Sequence, residues 1–80
     1  MERSKIIEKL TPIARSVFAN DSIILTDEMS AENTEAWTSM SFMLLLTEIE
    51  NQFSFKFKMM EILRLQTMGA IINAIYQHTA

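Results

Sequence analysis

Few side chains in this 80-residue chain are equipped for chemistry, and the most suggestive of them is a hydroxyl. Ser39 follows Trp37 and Thr38, directly after a stretch rich in carboxylates and directly before an apolar run. Thr38 is a good helix N-cap, so a helix is predicted to begin there. A helix start presents free backbone N–H groups and the positive end of the helix dipole, which together suit a phosphate ester. With Thr38 as the cap, the Ser39 hydroxyl is not needed internally and can face solvent. Position alone favours the plainer reading, in which Thr38 and Ser39 are both just capping residues.

The other candidates are weaker. His78 is the only histidine and falls in the last turn or beyond it, where it reads as a solvated tail residue rather than a general base. No Ser-His-Asp constellation can be built around such a terminus. Glu32 with Glu35, and Glu48 with Glu50, are pairs whose positions do not make the carboxylates converge. Gly69 stands alone, so there is no glycine-rich phosphate loop, and the acidic stretch lacks EF-hand spacing. The absence of cysteine excludes disulfides, thiolate metal sites and a cysteine nucleophile. No enzyme is expected.

The elements that must position Ser39 follow from spacing. Ile6, Leu10, Ile13, Ala14 and Val17 form one helical stripe that keeps its phase across Pro12, which predicts a single bent first helix. From Asn20 to Trp37 the pattern dissolves into a long polar connection, with Ile23-Ile24-Leu25 as an apolar island expected to plug the core. A second helix is predicted from about Thr38 to Phe53, with Leu45, Ile49 and Phe53 facing inward beside Phe42 and Leu46. Phe53, Phe55 and Phe57 alternate with polar residues along an extended link, and Lys58–Arg64 can form a short third helix. Thr67 caps a fourth, with Met68, Ile71, Ile72 and Ile75 inward and Gln77 to Ala80 fraying. The expected fold is all-α: one domain over residues 1–80, a small four-helix bundle of three longer helices and one short one, with a long loop between the first two.

Charge narrows the partners. Net charge is −3, yet Asp21, Asp27, Glu28, Glu32, Glu35, Glu48 and Glu50 fall in one block with no lysine or arginine. Such a block is a solvated loop, and it also steers toward basic surfaces. No basic stripe is present to displace counterions from nucleic acid. The longest apolar run, Phe42–Leu46, is far short of a membrane span, and no secretory signal is visible. A cytoplasmic protein is expected.

At this point the sequence resembles a known family. Ala36-Trp37-Thr38-Ser39-Met40 is similar to the Gly-Trp-Asp-Ser-Leu signature of acyl carrier proteins. Behind it, Ile49-Glu50-Asn51-Gln52-Phe53 resembles the family's Ile/Leu-Glu-x-x-Phe, followed by a link resembling Phe-Gly-Ile-x-Phe. Glu61-Ile62 and Leu65-Gln66-Thr67-Met68-Gly69 resemble its closing Leu-x-Thr-Val-Gly/Asp and last helix. Ahead of it, Leu25-Thr26-Asp27-Glu28 and Ala31-Glu32-Asn33 resemble the loop between its first two helices. The parts agree in order from about Lys5 to Tyr76.

The resemblance implies that a phosphopantetheinyl transferase attaches the 4′-phosphopantetheine of coenzyme A to Ser39. The arm's thiol then holds acyl groups as thioesters and presents them to partners: an acyl-loading ligase or transferase, and synthase enzymes. A specialised role in fatty-acid biosynthesis, polyketide or related lipid metabolism is implied, for a phosphoprotein acting as a monomer.

The departures are informative. Thr38 stands where the family has Asp, keeping the cap but losing a carboxylate offered to the transferase. Ala36 and Ser54 replace glycines, which matters only where φ is positive. The second helix carries more apolar residues than one core-facing stripe can hold, so some must face outward, Leu44 foremost with Met43 or Met40. Only Glu48 and Glu50 give that helix charge, where the family's outer face is strongly acidic. Partner recognition is therefore expected at Thr38, Met40, Met43, Leu44, Thr47 and Glu48. The alternative is a degenerate carrier-fold interaction module that never bears pantetheine and uses the same apolar surface.

Overall fold

Apolar residues at four-residue spacing build the first helix. Ile6, Leu10 and Ala14 are fully buried in α1 (Arg3–Val17), and Ile13 and Val17 flank them half-buried. The computed structural model describes residues 1–80 and adds α2 (Ser39–Phe53), α3 (Met59–Ile62) and α4 (Met68–Thr79), with no sheet. The helix runs unbroken through Pro12, whose ring can form no hydrogen bond back to Glu8. It ends at Phe18 with a Schellman turn, in which Ala19 and Asn20 N–H donate to the Ser16 and Arg15 carbonyls.

α1 packs against both α2 and α4 around one hydrophobic core. Leu45, Leu46, Ile49 and Phe53 from α2 meet Met68, Ile71, Ile72 and Ile75 from α4, and Phe57 and Leu65 close the α3 side. The loop from Phe18 to Thr38 is anchored at several points. Ile23 enters the core and Leu25 is half-buried, but Ile24 is 76% exposed, so the apolar island plugs the core with alternate residues rather than as a block. Arg15 Nε donates to the Ile23 carbonyl at 3.0 Å, Arg3 pairs with Asp27, and Asn33 Nδ2 donates to the Glu28 carbonyl at 2.8 Å.

The same loop finishes α4. Met68 N–H donates to the Met29 carbonyl (2.8 Å) and Gly69 N–H to the Asp27 carbonyl (3.1 Å), while Thr67 Oγ1 accepts from Ala70 N–H at 3.1 Å. A side chain on residue 69 would meet Asp27 Cβ at 3.1 Å, so glycine permits the loop to lie this close.

The short third helix expected within Lys58–Arg64 is a single turn with no fully buried residue. Two expectations need correction. α4 does not fray at Gln77 but continues to Thr79. His78 is not a solvated tail residue: its ring stacks on Phe55 with centroids 4.2 Å apart, and its Nε2 lies 2.7 and 2.9 Å from the two carboxylate oxygens of Glu61. A contact across 17 residues, made by an aromatic ring and a carboxylate on separate elements, leaves no trace in local spacing.

Candidate functional site

The backbone is fixed just before Ser39 by Trp37. Its indole is buried and lies between the rings of Phe18 and Phe42, at centroid distances of 5.9 and 6.1 Å. One ring comes from the end of α1 and the other from the first turn of α2, so the α2 entry is held in register with α1. The direction of the chain at Ser39 is set by this aromatic stack.

Thr38 then caps the helix. Ser41 N–H donates to Thr38 Oγ1 at 3.1 Å and Thr38 N–H donates back to Ser41 Oγ at 2.8 Å, a reciprocal capping box. Ser41 Oγ also donates to the Ala36 carbonyl at 2.7 Å, tying the cap to the loop. The sequence signal for Ser41 is its position three residues after a Thr cap.

Ser39 is exposed, and its hydroxyl makes no hydrogen bond, because Thr38 and Ser41 satisfy the cap between them. The first-turn amides are divided in the same way. Ser41 N–H goes to the Thr38 hydroxyl and Phe42 N–H to the Thr38 carbonyl, while the N–H groups of Ser39 and Met40 have no protein partner. A free hydroxyl thus stands beside two free N–H donors at the positive end of a 15-residue helix. A phosphate ester on that oxygen would find both hydrogen-bond donors and a favourable dipole. The residues present fit such a group.

From Ser39 onward one face of α2 looks outward. Met40, Met43, Leu44, Thr47 and Glu48 are all exposed, in the 3-1-3-1 rhythm of a single helical stripe, and Thr38 is exposed at its head. Met40 is 76%, Met43 56% and Leu44 54% exposed. Glu50 does not belong to this surface. Its Oε2 accepts from Phe57 N–H at 2.8 Å and its Oε1 lies 3.9 Å from Lys56 Nζ, so it organises the α2–α3 link instead. Glu48 is left as the only carboxylate on the outer face of α2.

Ser54 carries a penalty that its sequence does not announce. It closes α2 with φ 59° in the left-handed region, and Ala19 closes α1 with φ 53°. Both are places where glycine would be at ease. Ala36, by contrast, has no positive φ.

No helix is long and apolar enough to cross a membrane, and no group of three His, Asp or Glu side chains converges on a point that could hold a metal ion. Among known proteins, no family model matches the chain and no curated protein matches it. Solved structures do. The chain is similar to a holo acyl carrier protein from Geobacter metallireducens, determined in solution by NMR, with 38% identity and a TM-score of 0.82 over 89% of this chain and 82% of that one. With that identity spread over the same arrangement of helices, the chain belongs to the acyl carrier protein family, whose members are carriers rather than enzymes.

Proposed function

We propose that this protein carries acyl groups as thioesters on a 4′-phosphopantetheine arm attached to Ser39. The observation that carries the reading is the free Ser39 hydroxyl beside the unpartnered Ser39 and Met40 N–H groups. The relationship to a holo carrier supports it. In the loading step Ser39 Oγ forms a bond to the pantetheine phosphorus of coenzyme A, the phosphoanhydride breaks, and adenosine bisphosphate leaves. The hydroxyl proton passes to a base on the phosphopantetheinyl transferase, since no side chain of this protein hydrogen-bonds the Ser39 hydroxyl. The bound arm supplies the thiol that holds the acyl group. The two free N–H groups and the helix dipole would steady the phosphodiester, and the capping box keeps Thr38 and Ser41 from competing for it.

The exposed stripe from Thr38 to Glu48 is the surface we assign to the transferase, the acyl-loading enzyme and the synthase. It is drier than a charge-driven interface, so contact area replaces part of the electrostatic attraction. The setting is a specialised branch of fatty-acid, polyketide or related lipid metabolism, with the protein acting as a monomer, one domain over residues 1–80, in the cytoplasm. Incubation of the apo protein with coenzyme A and a broad-specificity transferase should add one phosphopantetheine by intact mass, and Ser39→Ala should add none. If several transferases leave the mass unchanged and protein from the native host also lacks the group, the chain is instead an unmodified interaction module, a reading favoured by Thr38 in place of Asp.

A further inference from the structure

The segment after α2 has the opposite charge balance from the acidic loop. Between α3 and α4 runs an open groove of about 600 Å³, within the usual size range of binding clefts. Met60, Leu65, Ala70 and Ala74 line it with apolar surface, and Asn73 and Gln77 line the α4 side. Lys58 and Arg64 line it from the other side, and neither has an acidic partner in the protein. The one carboxylate in the groove, Glu61, is turned to His78 and to the Lys58 N–H. From Phe53 to the end of the chain Glu61 is also the only acidic side chain. The groove therefore presents apolar surface and two cations that make no ion pair, although Lys58 lies within electrostatic reach of Glu61. Met60 is 66% exposed, and Met59 and Leu63, outside the lining, are 78% and 63% exposed, in a segment where only Ile62 of α3 packs against the core.

We infer that the α3–α4 groove is a second docking site, which receives an amphipathic helical segment of a partner protein bearing apolar anchors flanked by carboxylates. Charge complementarity selects the acidic flanks, since Lys58 and Arg64 outnumber Glu61 in the groove and form no ion pair that an anionic visitor would have to break. The concave lining selects an apolar side chain entering from a protein, because a flat lipid surface would leave the groove unfilled. Exposed methionines suit such a contact, being able to adapt their shape to the incoming side chain. None of the groove's residues lies on α2, so the site shares no side chain with Ser39 or with the surface assigned above.

The test uses the full chain and a capped helical peptide with leucines at i and i+4 and glutamates on both sides. Binding should shift the amide signals of Arg64, Asn73, Ala74 and Gln77 and weaken as salt is added. Lys58→Glu with Arg64→Glu, both on exposed side chains, should reduce affinity by roughly tenfold or more. Ser39→Ala should bind as the parent does. The inference is overturned if a lysine-flanked peptide binds equally well, or if the double reversal changes nothing. It is also overturned if the shifts fall on Met43 and Leu44, or if the protein ignores both peptides and sediments with phosphatidylglycerol–phosphatidylcholine vesicles.

Discussion

An α-helix begins with four N–H groups that have no partner within the helix, and α2 and α4 dispose of theirs differently. At α4 the loop carbonyls of Met29 and Asp27 take Met68 and Gly69, the Thr67 hydroxyl takes Ala70, and the Thr67 carbonyl takes Ile71. That start is sealed. At α2 Thr38, Ser41 and Phe42 are provided for, and the N–H groups of Ser39 and Met40 stay open. The division of labour gives a stability prediction. Thr38→Ala removes the acceptor of the Ser41 N–H and should cost about 1 kcal/mol in urea unfolding. Ser39→Ala removes a hydroxyl with no partner and should stay within about 0.5 kcal/mol. A comparable loss for both would mean that Ser39 is part of the cap. Thr38 was legible as a cap because N-cap chemistry is local. The freedom of Ser39 was legible only as a consequence of that cap. The reach of Ser41 to the Ala36 carbonyl was not, since cap spacing says nothing of a partner in the preceding loop.

At the scale of the element, α2 divides its apolar residues between two faces, and neighbours in sequence have opposite fates. Leu45 is fully buried while Leu44 is 54% exposed. Leu45→Ala should cost about 2–5 kcal/mol, as expected for a cavity in a core. Leu44→Glu should change stability by under about 1 kcal/mol and yet impair acyl loading by a cognate enzyme. Equal destabilisation would return Leu44 to the core and remove it from the partner surface. The ends of the elements offer a second prediction. Ala19 and Ser54 sit at φ 53° and 59°, where a Cβ costs on the order of 1–2 kcal/mol. Glycine removes that strain but gives the unfolded chain more freedom, so Ala19→Gly and Ser54→Gly should each gain roughly 0.5 kcal/mol. Thermal midpoints that fall in both variants would show that the strain is relieved elsewhere. The long helices were readable because their stripes repeat over several turns. The sign of φ at Ser54, the outward turn of Ile24 and the inward turn of Glu50 were not, since each is set by a partner distant in sequence.

Over the whole molecule, the weakly buried α3 is tied to the rest by a contact between distant parts of the chain. Glu61 accepts from the Lys58 N–H at 2.8 Å, capping α3, and holds His78 near the end of α4. His78 in turn stacks on Phe55 and meets the edge of Phe57, whose own N–H is held by Glu50. One carboxylate thus connects α3, α4 and the link that leaves α2. Partial burial raises the Glu61 pKa, but the Lys58 N–H and then the hydrogen bond and charge of His78 outweigh it, with Lys58 adding to them, so the carboxyl is held below its ordinary value. The carboxylate is then favoured more in the folded chain than in the unfolded one. Its contribution to stability is fully present above the unfolded value, about 4.3 for glutamate, and is lost as pH falls through the lower folded value. Glu61→Gln should lower the thermal midpoint at neutral pH. As the solution is acidified the parent should lose more stability than the variant, until their midpoints approach one another below both values. Midpoint curves that stay parallel across the acid range would mean that Glu61 is not the ionised tie between these elements. In that case the packing of Phe57, Ile62 and Leu65 on the core would have to hold the α3 segment in place.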